Sequence, residues 1–185
     1  MAAALKKSKK ATLYTIGHST RPIKDFIKIL QAHGIRRVMD IRTIPKSRHN
    51  PQFNEARLAA SLRRARIAYE NEPLLGGLRH ARKDSPNTGW RNASFRGYAD
   101  YLQTPDFKKG LAHLAARARK SKTAIMCAEA VPWRCHRSLV ADAAKKSGMR
   151  VFHIMSATNA REHRYTPFLR VRKGGLVYPA LPFKR

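Results

Sequence analysis

The chain has 185 residues, of which 43% are hydrophobic, so it has the size of one ordinary domain and enough apolar residues for a core. No apolar run approaches the roughly 20 residues that cross a bilayer, and none follows the N-terminal lysines to form a signal peptide, so we expect a protein that is neither membrane-bound nor exported. The 39 lysines and arginines against 11 acidic residues give a net charge of +28, which predicts an anionic partner such as nucleic acid or, alternatively, only a solvated basic surface.

Predicted strands and helices alternate along the chain. Residues 1–11 are expected to form a disordered basic leader, and residues 12–185 a single α/β domain. Runs of apolar and β-branched residues predict five strands, at 12–16, 36–41, 67–70, 123–127 and 149–155. Apolar residues at helical spacing, together with capping residues, predict helices at 22–33, from 54, at 95–102, from 104 and at 132–147.

Two further segments complete this prediction. The segment 71–91 is rich in proline and glycine, which predicts a long loop that could act as a lid. A hairpin is predicted at the C-terminus, with strands at 169–172 and 176–178. The alternation as a whole predicts a mainly parallel sheet with helices on both faces and right-handed crossovers.

Polar side chains follow the predicted strands directly. His18 and Ser19 follow the first strand, Asp40 ends the second, and Cys127 and Glu129 follow the fourth. Ligands of parallel sheets bind beyond the carboxyl ends of the strands. These residues therefore predict a site at that edge, although an Asp or Ser there can also simply cap the next helix.

The chain resembles the domain of unknown function 488 family. The resemblance rests on motifs in matching order and spacing: Tyr14–Ser19, Asp40–Arg42 with Pro45 and Arg48, Leu75–Gly77, Phe95–Tyr98, Cys127–Glu129, Cys135–Arg137, and His163 ahead of Thr166–Phe168. It implies an α/β fold and a polar pocket built from these motifs, His163 included. It implies no particular reaction, and the strong basicity of this chain is a feature of this member.

Cys127 is the candidate nucleophile. It ends a predicted strand before a loop and a helix, so the helix N-terminus, Arg134, Arg137 and His136 are expected to lower its pKa. The arrangement is similar in outline to rhodaneses and cysteine phosphatases, but Arg134 is one residue farther from the cysteine than in those phosphatases, and Pro132 removes a donor. The alternative is that Cys127 is a small buried core residue.

The spacing of the two cysteines argues against a metal and against a disulfide. Cys135 and His136 suggest zinc ligands, but Cys127 and Cys135 are too far apart in sequence for an ordinary structural zinc site, and His18 or His163 would have to complete the coordination sphere. They also lack the Cys-x-x-Cys form of redox pairs. We expect no metal and no cofactor, and two cysteines in a chain of this length favour a reducing, cytoplasmic location.

Arginines near these motifs are interpreted as forks that bind phosphate or carboxylate groups, namely Arg42, Arg48, Arg134 and Arg137. One or two of them would instead pair with Asp40, Glu129 or Asp142 and hold loops in place. Glu129 is interpreted as a counter-ion or a general base, and His18 as an acid or base or a structural histidine. Trp133 and Tyr98 would either stack on a base or belong to the core.

Two hypotheses follow. The first is an enzyme that acts on a phosphate-bearing substrate, a nucleotide or nucleic acid, by hydrolysis or group transfer. Its predicted catalytic residues are Cys127, His18, His136 and Glu129, and its predicted substrate-binding residues are Ser19, Asp40, Arg42, Arg48, Arg134, Cys135, Arg137 and His163. The second is a non-enzymatic nucleic-acid-binding module, with a sensor of small anions as a further alternative.

Overall fold

The structure is a computed structural model that describes residues 10–181, and it confirms the predicted α/β fold. Its main sheet has six strands in the order β3–β2–β4–β1–β5–β6. These are β1 (Thr12–Gly17), β2 (Arg37–Asp40), β3 (Ala68–Asn71), β4 (Thr123–Cys127), β5 (Arg150–Ile154) and β6 (Ala160–Glu162). β1 to β5 run parallel, and β6 pairs antiparallel with β5. The short edge strand β6 was not predicted, since its charged sequence lacks the apolar run that marks a buried strand.

Five α-helices lie within the described residues: α1 (Ile23–Ala32), α2 (Glu55–Arg64), α3 (Ala93–Tyr101), α4 (Pro105–Lys120) and α5 (Arg137–Lys146). The prediction of one helix over 132–147 is wrong in a way that matters for the site. A short 3-10 turn, Pro132–Arg134, comes first, and Cys135 is then extended at φ −138° and ψ 142°. The helix begins again at Arg137, so Cys135 and His136 lie on a bend.

The sheet is covered on both faces, as the uninterrupted apolar sequence of β4 requires. All five residues of β4 are buried. Ala124 and Met126 pack in the cluster that contains α1 and α2 side chains. Ile125 and Cys127 pack in the opposite cluster, formed with α3, α4 and α5.

Strands β1 and β4 lie side by side at the point where the topology changes direction. Gly17, at the end of β1, is directly opposite Cys127, at the end of β4. The helices that follow the two strands, α1 and α5, pack on opposite faces of the sheet. A crevice at the carboxyl ends of two such strands is the usual ligand site of open α/β sheets.

The C-terminal hairpin is confirmed as β7 (Arg170–Arg172) and β8 (Gly175–Val177). The long loop predicted at 71–91 is tied to the segment after this hairpin. The amide of Tyr178 donates to Asn87 Oδ1 at 2.9 Å, and the amide of Gly89 donates to the carbonyl of Tyr178 at 2.9 Å. These bonds favour a fixed loop over a lid.

Most of the predicted basic leader, residues 1–9, lies outside the described residues. Within residues 10–181, no helix combines the length and apolar character that a membrane span requires.

Candidate functional site

The loop after β4 turns back across the end of β1. The pairing of the two strands continues beyond their ends, because the amides of His18 and Ser19 donate to the carbonyls of Cys127 and Ala128, each at 2.9 Å. A Cβ on Gly17 would overlap the carbonyl oxygen of Glu129. Only glycine permits this approach of the loop to the strand.

Arg137 is buried beneath the same loop and donates hydrogen bonds to it. It is 1% exposed, and its Nη1 and Nη2 donate to the carbonyls of Glu129 and Ala130 at 2.8 and 2.9 Å. Both terminal nitrogens bond to the backbone, which favours a structural role for Arg137 in shaping the loop around Cys127 over the predicted role as a substrate fork.

Cys127 lies beside His136 at the carboxyl end of the sheet. Its Sγ lies 4.0 Å from His136 Nδ1, and the opposite ring nitrogen, Nε2, lies 3.1 Å from the carbonyl oxygen of Ile41. A carbonyl only accepts hydrogen bonds, so Nε2 carries a proton and Nδ1 is directed at the sulfur. A thiol beside an imidazole that a third group orients is the arrangement of an activated nucleophile.

Two of the sequence motifs support the His136 ring. The ring centre of Tyr98 lies 4.8 Å from that of His136, and the hydroxyl of Tyr98 donates to the carbonyl of Leu75 at 2.7 Å. A Cβ on Gly77 would lie 3.1 Å from His136 Nδ1, so a side chain there would crowd the imidazole. Tyr98 is thus a core residue that positions His136, and it does not stack on a ligand base.

Cys135 completes the cluster. Its Sγ lies 3.9 Å from His136 Nδ1, and both cysteines are buried and free. A hydrogen bond from the Cys135 thiol lowers the pKa of Cys127 well below its usual value, with burial opposing the shift and His136 and Arg137 assisting it. The same bond, together with burial, raises the pKa of Cys135. The cluster therefore stabilises a thiolate at Cys127.

His18 lies at the same end of the sheet, directly after β1. Its Nδ1 donates to the carbonyl of Ser19 at 2.7 Å, its Nε2 lies 3.4 Å from Arg42 Nη1, and its ring stacks on Phe53 with centres 4.1 Å apart. Burial lowers the pKa of His18, and the charge of Arg42 adds to this shift, although the bond to Ser19 opposes it. His18 is therefore a neutral imidazole at neutral pH, with Nε2 as its acceptor.

Asp40 and Arg42 form a buried ion pair, 0% and 6% exposed. Arg42 Nε donates to Asp40 Oδ1 at 2.9 Å, and Arg42 Nη2 donates to Asp40 Oδ2 at 2.5 Å and to the carbonyl of Phe53 at 2.8 Å. Tyr69 donates its hydroxyl to the same carboxylate at 2.9 Å. The structure thus favours the alternative in which Arg42 pairs with Asp40, and it leaves only Nη1 facing His18.

Several predicted site residues lie at the edge of this cluster. Glu129, Arg134 and Arg48 are exposed, and their side chains make no hydrogen bond within residues 10–181. For Glu129 it is the main-chain carbonyl that contributes to the loop. Ser19, with a left-handed φ of 50°, contributes its amide and carbonyl groups.

His163 lies elsewhere, in a chain of buried polar groups on the other side of β1. Its Nε2 lies 2.9 Å from Asp142 Oδ1, and its Nδ1 lies 2.9 Å from His153 Nε2. His153 Nδ1 lies 2.7 Å from the Thr15 hydroxyl. Burial, and after it the charges of His163 and Arg137, lowers the pKa of His153 to about 3. The sequence did not reveal this chain, because His153 sits inside a strand whose pattern indicates core.

One group of side chains within the described residues has the composition of a metal site. The potential ligand atoms of Cys127, Cys135 and His136 all lie within 4.8 Å of one another. The sequence suggested these ligands with His18 or His163 as a further one, and the structure leaves both of those histidines outside this group. Two thiolates and one imidazole suit zinc with an open fourth position, and tetrahedral sulfur and nitrogen ligands of zinc lie roughly 3.5 Å apart. The residues fit such an ion after a small contraction.

The comparisons with known proteins place these residues in a family. The family model described as Domain of unknown function DUF488 matches residues 22–144. The matched interval contains the Asp40–Arg42 pair and the whole Cys127–Arg137 loop, and it begins after His18 and ends before His153. No curated protein matches the chain, and no solved structure does.

Proposed function

The chain belongs to the DUF488 family, and we propose that it is an enzyme that acts on a phosphate-bearing substrate, such as a nucleotide or a nucleic-acid end, with Cys127 as the nucleophile. The observation that carries the proposal is the alignment of Cys127 Sγ, the His136 ring and the Ile41 carbonyl. This alignment directs a ring nitrogen at a thiol at the carboxyl edge of an open α/β sheet, where ligands of such sheets bind.

The proposed reaction has two steps. The Cys127 proton moves to His136 Nδ1, and the thiolate attacks phosphorus, so that a sulfur–phosphorus bond forms and the bond to the leaving oxygen breaks. The leaving oxygen takes the proton from His136. In the second step water attacks the phosphorus and expels the Cys127 thiolate, while the neutral His18 accepts the proton of the water.

The loop after Cys127 supports the choice of an anionic substrate. The amides of residues 128–131 donate to no protein acceptor within the described residues. The carbonyls of 127–130, in contrast, accept bonds from the amides of His18 and Ser19 and from Arg137. Successive unpaired amides beside a nucleophile suit the oxygens of a phosphoryl group. The net charge of +28 favours encounter with such substrates.

We propose a reducing compartment, the cytoplasm, as the location of this enzyme. The mechanism requires Cys127 and Cys135 as free thiols, which is how the structure has them. Oxidising compartments would favour their conversion to a disulfide.

Replacing Cys127 with alanine tests the proposal. We expect the release of p-nitrophenol from p-nitrophenyl phosphate, bis(p-nitrophenyl) phosphate or the p-nitrophenyl ester of thymidine 5′-phosphate to fall at least about a hundredfold, because the nucleophile is gone. The matched variant Cys135→Ala removes the same atoms from the neighbouring position. It keeps the nucleophile but raises its pKa, so its activity at neutral pH is expected to be lower than that of the wild type and to recover as the pH rises.

Three outcomes would overturn the proposal. The first is hydrolysis of none of these esters by the wild-type protein, and the second is equal activity of the wild type and Cys127→Ala. The third is a zinc content of one ion per chain in the purified wild-type protein, together with loss of that zinc in both Cys127→Ala and Cys135→Ala. In that case the Cys127 thiolate would be a zinc ligand and not the nucleophile.

A further inference from the structure

A groove with a volume of about 1080 Å³ lies beside the β5–β6 edge of the sheet. Its walls come from the 3-10 turn after the Cys127 loop, from β6 and from the segment 163–168, and neither cysteine lines it. Two large aromatic side chains on these walls are exposed to solvent, Trp133 at 61% and Tyr165 at 39%. Neither side chain belongs to the cluster of Cys127, Cys135 and His136.

We propose that this groove binds single-stranded nucleic acid, with unpaired bases stacked on Trp133 and Tyr165 and the phosphates bound by the basic residues that line the groove. The inference goes beyond the proposed function and does not depend on it. It requires only that the groove recognise a strand, whether or not Cys127 reacts.

The aromatic residues supply surfaces for stacking. Trp133 is the middle residue of the 3-10 turn Pro132–Arg134, and Tyr165 lies beside the buried His163 with ring centres 6.4 Å apart. Trp90, also in the lining, is fixed by Phe95 and Phe168 at ring separations of 4.8 and 4.9 Å. Its indole N–H is buried and has no acceptor within the described residues, so Trp90 contributes to the groove through its ring.

The charged residues of the groove favour a polyanion. Lys145, Arg161 and Arg164 line it, against the single carboxylate of Glu162. The Lys145 ammonium donates to the His163 carbonyl at 2.7 Å and lies 5.3 Å from the Tyr165 ring centre, which places a positive charge directly beside a stacking surface. Both arginines are exposed, and their side chains donate no hydrogen bond within residues 10–181.

A single strand fits these features better than other polyanions. Aromatic faces exposed in a basic groove suit unstacked bases, whereas a duplex keeps its bases stacked and paired. An acidic peptide would satisfy the cations but leave the aromatic faces without a π partner. The volume of about 1080 Å³ lies at the upper end of the range of small-molecule pockets, roughly 300–1,000 Å³, so the groove has room for more than one nucleotide.

The test measures the anisotropy of fluorescent oligothymidylate and oligouridylate of about 15 nucleotides, of a duplex of the same length, and of a polyglutamate peptide. We expect tight, salt-sensitive binding of the single strands and weaker binding of the duplex and the peptide. Trp133→Ala should weaken binding of the single strands at least about fivefold, since stacking contributes roughly 1–3 kcal/mol per base.

Matched variants separate the groove from the general charge of the chain. Val171→Ala removes another exposed apolar side chain, 60% accessible on the C-terminal hairpin, and should bind as the wild type does. Arg161→Gln with Arg164→Gln should weaken binding more than Arg170→Gln with Arg172→Gln, which removes the same charge from the hairpin. The proposal would be overturned if Trp133→Ala and Val171→Ala had equal effects on binding, or if the two double arginine variants did. Binding of polyglutamate as tight as that of the single strands would also overturn it.

Cys127→Ala should bind the oligonucleotides as the wild type does, while Trp133→Ala should retain the hydrolytic activity toward small p-nitrophenyl esters. Failure of the groove and failure of the thiol chemistry are therefore distinguishable, because each has its own variant and its own readout.

Discussion

Gly17→Ala is expected to lower the free energy of unfolding by about 3 kcal/mol or more, because the new methyl group has no room. A Cβ at this position would overlap the Glu129 carbonyl and lie 2.6 Å from Arg137 Nη1. The carbonyl is backbone, and Arg137 is 1% exposed, so neither can move without displacing the loop that carries Cys135 and His136. Urea denaturation of the purified variant measures the loss.

Gly174→Ala is the matched control, because a Cβ there would meet no atom within 4 Å. Its stability should stay within about 0.5 kcal/mol of the wild type. If Gly17→Ala were equally well tolerated, the close approach of the Cys127 loop to β1 would not be a constraint on this fold.

Asp40→Ala is expected to destabilise the protein by about 3–5 kcal/mol, because it leaves the guanidinium of Arg42 buried without its counter-charge. The carboxylate accepts bonds from the Arg42 amide, from Arg42 Nε and Nη2 and from the Tyr69 hydroxyl, so four donors lose this acceptor together. The matched control is Asp84→Ala, which removes the acidic partner of an exposed ion pair. Arg82 and Asp84 form an ion pair of similar geometry, but its side chains are 66% and 71% exposed.

Exposed pairs contribute little to stability, so Asp84→Ala should leave the denaturation midpoint unchanged. The double variant Asp40→Ala with Arg42→Met should be more stable than Asp40→Ala alone, because it removes the orphaned charge. If Asp40→Ala were as stable as the wild type, the Asp40–Arg42 ion pair would not contribute to the stability of the structure around His18.

The sequence was sufficient to predict the sheet and its ligand edge, because both depend on local patterns. The strands of a parallel sheet are short apolar runs, and β1, β2 and β4 are of this kind. Once strands and helices alternate, the chain direction alone places His18, Asp40 and Cys127 at one edge. That part of the candidate site required no knowledge of side-chain contacts.

The sequence was not sufficient to assign the roles of the arginines and of His136, because these depend on distant backbone. The carbonyl of Ile41 fixes the tautomer of His136, and the carbonyls of Glu129 and Ala130 occupy Arg137. Main-chain acceptors leave no mark in the sequence. The bend at Cys135 was likewise hidden, since the residues from 132 to 147 have helical spacing although the backbone is extended at one of them.

A titration of the thiolate absorbance near 240 nm tests the role of Cys127 most directly, as the difference between the wild type and Cys127→Ala. We expect the wild type to show a step centred well below the usual cysteine pKa of about 8.5 that Cys127→Ala lacks, since the Cys135 thiol, His136 and Arg137 stabilise the charged sulfur of Cys127. A step centred at or above that usual value would show that Cys127 is an ordinary buried thiol, and would contradict its assignment as the nucleophile.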